Sequence, residues 1–199
     1  MLLFALLLVG SCTLFGSCTH PPITTKNRET HPGTGAREPS RSAFGPVTTE
    51  NWRTHPGVEE IRRIVQEVTE LEQDGKLKVA ERAGHDSCEN YEGDMFRTIS
   101  RDAKGRARKL TLDAGSQDSS VTVDAYYDLE IKLRFVFVKA SAANDTVYEY
   151  RIYFGRDGEK IWEQRTLVRG PGYTFPTPWL EEFTPRDPEA RFASSTTCN

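Results

Sequence analysis

Lys132-Leu133-Arg134-Phe135-Val136-Phe137 and Val147-Tyr148-Glu149-Tyr150-Arg151-Ile152-Tyr153-Phe154 are the two stretches that decide the fold. Each changes character at every second residue, the period of an extended chain with one buried and one wet face. In the first, Leu133, Phe135 and Phe137 point one way, against Lys132, Arg134 and Val136. In the second, Tyr148, Tyr150, Ile152 and Phe154 oppose Glu149, Arg151 and Tyr153. The alternation begins at Val121 and reaches Lys139, far beyond the roughly three to ten residues usual for a strand. It therefore divides at Asp128-Leu129-Glu130 into a hairpin.

Working outward, Asp94 to Val168 becomes an antiparallel β-meander of three hairpins and about six strands. A step of about 27 residues aligns Phe96, Val123 and Tyr150, then Thr98, Ala125 and Ile152, then Ser100, Tyr127 and Phe154. On the outgoing strands Leu110 matches Phe137, and Arg108, Phe135 and Trp162 share a column. The turns Arg101-Asp102-Ala103-Lys104-Gly105 and Gly155-Arg156-Asp157-Gly158 carry the Asp and Gly that tight turns require, and Asp128 opens the middle one. These columns place Phe135, Phe137, Tyr150 and Ile152 in the core and Arg134 on the solvated face. Phe135→Ala is then expected to cost about 3–5 kcal/mol, and Arg134→Ala less than about 1 kcal/mol.

The spacing of Val58, Ile61, Ile64, Val65, Val68 and Leu71 predicts an amphipathic helix over Val58 to Gln73. Thr54 to Pro56 suits its start, Glu59 and Glu60 favour its positive end, and Asp74-Gly75 supplies the stop. Its apolar stripe needs a partner, and the meander offers one, giving an α+β fold with the helix packed on the sheet. Lys76 to Glu81 alternates lysine with apolar residues and suits an added edge strand.

At the N-terminus, Met1 to Ser17 carries no charge, and Leu2 to Gly10 is an apolar run too short for the ~20 residues of a membrane-spanning helix. Small residues and a cysteine follow twice, as Val9-Gly10-Ser11-Cys12 and Phe15-Gly16-Ser17-Cys18. These 18 residues resemble the signal and lipobox of bacterial lipoproteins. The resemblance implies lipidation at Cys12 or Cys18, an anchor in a membrane and a place in the cell envelope, facing the periplasm or the surface.

Residues Thr19 to Gly57 hold six of the eleven prolines among Thr, Ser and Gly, the composition of a disordered linker. The expected organisation is thus a signal segment over 1–18, a linker over 19–57 and one α+β domain over 58–199. Thr-His-Pro-Gly occurs twice in the linker, but no Cys or carboxylate cluster completes a coordination sphere around His31 or His55, so no metal site is assigned.

Cys88 and Cys198 remain, and an exported chain would place them in an oxidising compartment, where a disulfide between them would close most of the domain. His85-Asp86-Ser87-Cys88 holds the side-chain types of a nucleophile, base and orienting acid, but four adjacent loop residues do not converge on one reacting atom. Carboxylates such as Asp124, Asp128, Glu149 and Glu163 could meet on a sheet face, although solvated strand surfaces carry such charges routinely. Beyond Val168, Pro-rich sequence carries Tyr173, Phe175 and Trp179, suited to strap one end of the sheet.

A net charge of −3 over 199 residues lacks the electrostatic footprint of a nucleic-acid binder. Gly-rich phosphate loops, His-Glu-x-x-His and Gly-x-Ser-x-Gly do not occur, and no cofactor is implied. The expected function is an envelope-anchored lipoprotein whose small, non-enzymatic domain binds a protein or peptide partner or an envelope component. Tandem hairpins with aromatic columns also resemble the hairpin-repeat antitoxin and immunity proteins, which implies an inhibitor module as the second possibility. A hydrolytic enzyme of unfamiliar type is the third.

Overall fold

The structure, a computed structural model, describes residues 44–88, 91–174 and 184–194, and the side chains of all of these except 85–88 and 91–93. They belong to one compact unit, Glu38–Asn199; the other, Met1–Arg37, lies outside the described residues.

Helix α1 spans Pro56–Gln73. Seven strands follow: β1 Lys78–Cys88, β2 Tyr91–Arg101, β3 Ala107–Gly115, β4 Ser119–Tyr127, β5 Leu133–Ala142, β6 Val147–Phe154 and β7 Lys160–Arg169. They form a single antiparallel sheet in chain order, β1 to β7. A short helix, α2, covers Pro188–Ala193. The α+β meander is as the alternation predicts, with seven strands in place of six. The additional one is the lysine-bearing edge strand, which continues through His85-Asp86-Ser87 to pair Cys88 with Tyr91, so that tetrapeptide is extended backbone, not a loop.

Three turns at one end of the sheet share one geometry. The first N–H of each donates to the fifth carbonyl, and the fourth N–H returns to the first carbonyl: Asp102 to Arg106, Asp128 to Lys132, Gly155 to Glu159. The fourth residue takes positive φ in every case, 79° at Gly105, 62° at Ile131 and 83° at Gly158. A bulge in the pairing lies beside each turn. The turns open at Asp102, Asp128 and Gly155, so the hairpins align by 26 residues and then 27.

A uniform step misplaces the first hairpin by one residue, which reverses its faces. In the observed alignment Ile99, not Thr98, matches Ala125 and Ile152, and all three are buried together. Phe96 stands on the opposite face, 55% exposed.

The bulge in β5 corrects a second assignment. Tyr126 pairs with Phe135 but Tyr127 with Leu133, which leaves Arg134 as the extra residue. Leu133 therefore joins Val136, Val138, Tyr150 and Ile152 on one face. Phe135 and Phe137 lie on the other, with Tyr126, Tyr153 and α1. The four residues expected to share one core are thus split across the sheet, and Arg134, expected in solvent, is only 3% exposed.

Buried guanidinium groups need partners. Arg134 Nε donates to Phe154 O at 3.2 Å, and its Nη1 to Glu60 Oε1 at 3.2 Å and Asp128 Oδ2 at 3.3 Å. Arg108, beside the first bulge, repeats the device, with Nε donating to Tyr127 O at 3.2 Å and Nη1 to Glu67 Oε1 at 3.1 Å. Glu60 and Glu67 are two helical turns apart, about 10.5 Å. Arg134 and Arg108 are two strands apart, about 9.6 Å. The match sets α1 across the turn end of the sheet with one carboxylate over each bulge, while Val58, Ile61 and Val68 fill the space beneath.

Folded chain reaches N-terminal of the helix, to Phe44, further than its Pro-rich composition predicts. Trp52 stacks on Trp162 at 6.1 Å, and His55 caps α1. His55 Nδ1 accepts from Gly57 N at 3.1 Å, and Nε2 lies 3.1 Å from Phe44 O and 3.2 Å from Gly45 O, so both ring nitrogens serve the backbone.

The sheet face opposite α1 meets the C-terminal segment. Phe192 packs into its apolar cluster, the Tyr127 hydroxyl donates to Pro185 O at 2.7 Å, and Arg101 holds Glu189 through Nε and Nη2. At the end of the sheet remote from α1, Tyr173 donates to Asp118 Oδ2 at 2.9 Å, as a strap would; Phe175 and Trp179 lie outside the described residues.

Candidate functional site: the open end of the helix-side face

Helix α1 lies over the row Lys109, Tyr126, Phe135 and Tyr153 near the turns, with Phe137 of the next row at the margin of the same cluster. Further along the strands the same face continues past it. The next row runs Thr98, Thr111, Asp124, Phe137, Arg151 and Gln164, and the one after it Phe96, Asp113, Thr122, Lys139, Glu149 and Thr166. These positions alternate with the buried ones, and the chain fills most of them with hydroxyls and charges, leaving Phe96 and Phe137 among them.

Cross-strand bonds tie this surface into a ladder. Thr111 donates to Asp124 at 2.6 Å and Thr122 to Asp113 at 2.7 Å, while within β6 Arg151 donates to Glu149 at 2.8 Å. The Arg151 guanidinium also lies 5.0 Å above the Phe137 ring. Lys109 bridges to Glu72 on α1 and Asp124 on β4. Burial alone would lower its pKa, but Asp124, Tyr126 and Glu72 outweigh that and raise it. The ladder thereby carries charges of both signs.

At its β2–β4 end the face opens into a depression of about 360 Å³, bordered by Asp94, Asp113, Ser116, Ser120 and Thr122, with Phe96 exposed in it. The facing pair Gly115 and Ser120 supplies little side-chain bulk, which leaves the hollow. Hydrogen bonds from Ser116 and Tyr173 hold the neighbouring Asp118 carboxyl below its ordinary range. An aromatic ring among fixed carboxylates and hydroxyls suits recognition of a ligand with an apolar surface and polar edges.

The residues singled out from sequence do not assemble here. Asp124 and Glu149 are engaged in the ladder, Asp128 caps a turn and holds Arg134, and Glu163 pairs with Lys160, so the four carboxylates do not converge. Cys12, Cys18 and Cys198 lie outside the described residues, as does the side chain of Cys88, whose backbone ends β1. Among the described residues no group of three or more His, Cys, Asp or Glu is placed to hold a metal. A uniform 27-residue step puts Phe96 in register with Val123 on the buried face; the turn residues Asp102 and Asp128 set a 26-residue step that puts it on the outer face.

No family model matches the chain, and neither curated proteins nor solved structures yield a match.

Proposed function

We propose that the protein is a membrane-tethered binding module of the cell envelope, with the depression around Phe96 as its contact surface for a protein or peptide partner. The observation that carries the reading is a large aromatic side chain held 55% exposed in the interior of a strand, beside an open hollow. A lipidated Cys12 or Cys18 supplies the tether; among the described residues no helix is long and apolar enough to cross a membrane. Labelled palmitate should enter the wild-type protein and be lost on Cys12→Ala or Cys18→Ala; labelling unchanged by either substitution removes the tether. A photoreactive amino acid placed at Phe96 in the envelope should give a discrete adduct that the same group at Thr166 does not. Identical behaviour at the two positions removes the contact surface.

The shared geometry of the three turns favours an inhibitor of the hairpin-repeat kind as a second reading. The adduct separates the two, since an inhibitor's partner would be an enzyme that loses activity on binding.

The proposed Cys88–Cys198 disulfide draws support from the C-terminal segment, where Arg82 Nη1 on β1 donates to Ala193 O at 2.7 Å. That contact brings Ala193, five residues before Cys198, to the strand carrying Cys88. A non-reduced digest should contain a Cys88 peptide joined to a Cys198 peptide; two free thiols in freshly exported protein would exclude the bond.

A further inference from the structure

The three matched turns differ in what they display. The second and fourth residues are Ala103 and Gly105 in the first turn and Arg156 and Gly158 in the third, but Leu129 and Ile131 in the second. Ile131 holds φ at 62°, where its siblings are glycine. A β-branched residue is strained there, and glycine is not. Its burial in return is incomplete: Ile131 is 37% exposed and Leu129 52% exposed. Strain at a partly exposed position places two apolar groups at a tip, a cost that burial there offsets only in part.

The chain leading from the N-terminal segment enters at this same end. Phe44, 46% exposed, contacts the ring of His55, the cap of α1. One turn into the helix, Glu60 reaches Arg134 beside the second turn and Arg156 within the third. The described chain therefore begins at the end of the sheet that carries the Leu129–Ile131 tip. Arg106, Lys132 and Arg156 stand around it with Glu130, a mixture of signs compatible with the headgroup layer. Two apolar side chains bind a bilayer weakly by themselves, but a tether holds them at high effective concentration.

We propose that Leu129 and Ile131, with Phe44 beside the tether, insert into the lipid surface and fix the orientation of the domain upon it. The inference rests on the tether proposed above, and its test supplies attachment independently of acylation. The full chain with an N-terminal hexahistidine tag is held on vesicles of phosphatidylcholine, phosphatidylglycerol and a nickel-chelating lipid. Tryptophan is introduced as Leu129→Trp at the tip or Ser141→Trp at the far end, against the background of the native tryptophans. Lipids brominated in the acyl chain should quench the Leu129→Trp protein well beyond the background and leave the Ser141→Trp protein at background. Adding Ile131→Gly should weaken that quenching while raising the thermal midpoint by a few degrees. Quenching no greater for Leu129→Trp than for Ser141→Trp, or insensitive to Ile131→Gly, overturns the proposal. So does a blue shift of Leu129→Trp emission with intact envelope but not with vesicles of its extracted lipid, which assigns the tip to a protein. A negative palmitate result with positive quenching removes the natural anchor and leaves the lipid-facing tip standing.

Discussion

Arg134→Ala should destabilise the protein by about 3–5 kcal/mol, the range for breaking a buried ion pair by removing one partner. The guanidinium is the meeting point of three elements: β6 through Phe154 O, the β4–β5 turn through Asp128 and α1 through Glu60. Truncation leaves a carbonyl and two carboxylates short of a donor and a void between helix and sheet. Glu60 retains Arg156 at 3.1 Å, which puts the expected value toward the lower part of the range. Arg134→Lys should recover only part of the loss, because a single ammonium does not span the directions served by Nε and Nη1. Arg106→Ala, whose side chain is 29% exposed and pairs within its own turn, should cost about 1–2 kcal/mol. Urea denaturation measures all three, and an Arg134→Ala value as small as that of Arg106→Ala would disprove the helix–bulge pairing.

The same contact sets the response to acid. Burial alone would raise the Glu60 carboxyl, but the hydrogen bond from Arg156 and the charges of Arg134 and Arg156 outweigh it and hold the group below its ordinary value. A carboxyl with a lowered folded-state pKa contributes stability that is present above its unfolded pKa, near ~4.3, and lost as pH falls through the folded value. Wild-type stability should therefore fall below about pH 4 more steeply than that of Glu60→Gln, which has already lost the charge.

The period-two strands, the helix and its Asp74-Gly75 stop are legible in the sequence because each rests on local chemistry that repeats. What is not legible is the phase across the turns. Bulges beside Arg108 and Arg134 insert one unpaired residue each, and a single insertion exchanges the two faces of everything beyond it. Leu133 and Phe135 thus part company despite their equal parity, and a charged residue next to a turn becomes the most buried cation of β5. Arg108 and Arg134 do carry a signal, since both lie six residues after a turn-opening Asp, at Asp102 and Asp128. That spacing becomes informative only when the turns, not the strands, are used to align the hairpins. The Phe96 site depended on the same phase. The cysteines at the chain's ends and the partner of the hollow are set by compartment and by other molecules, which no periodicity encodes.

Phe135→Ala should also cost about 3–5 kcal/mol, and for a reason the alternation alone does not supply. The ring lies 4.8 Å from that of Tyr153 and 5.9 Å from that of Tyr126, under α1, and so belongs to the helix-side cluster with Val58, Ile61 and Val68. Its removal opens a cavity that neither the paired strands nor a helix pinned by Glu60 and Glu67 can close. Phe137, one row out and beneath Arg151, is half-buried, so Phe137→Ala should cost roughly half as much. Magnitude does not identify the face, but coupling does. A double-mutant cycle between Phe135 and Tyr153 should give an interaction of about 0.5–1.5 kcal/mol, as for a packed aromatic pair. A cycle between Phe135 and Val123, on the far side of the sheet, should be additive within about 0.5 kcal/mol. Coupling to Val123 and none to Tyr153 would return Phe135 to the opposite face and, with it, remove the bulge that places Arg134 under the helix.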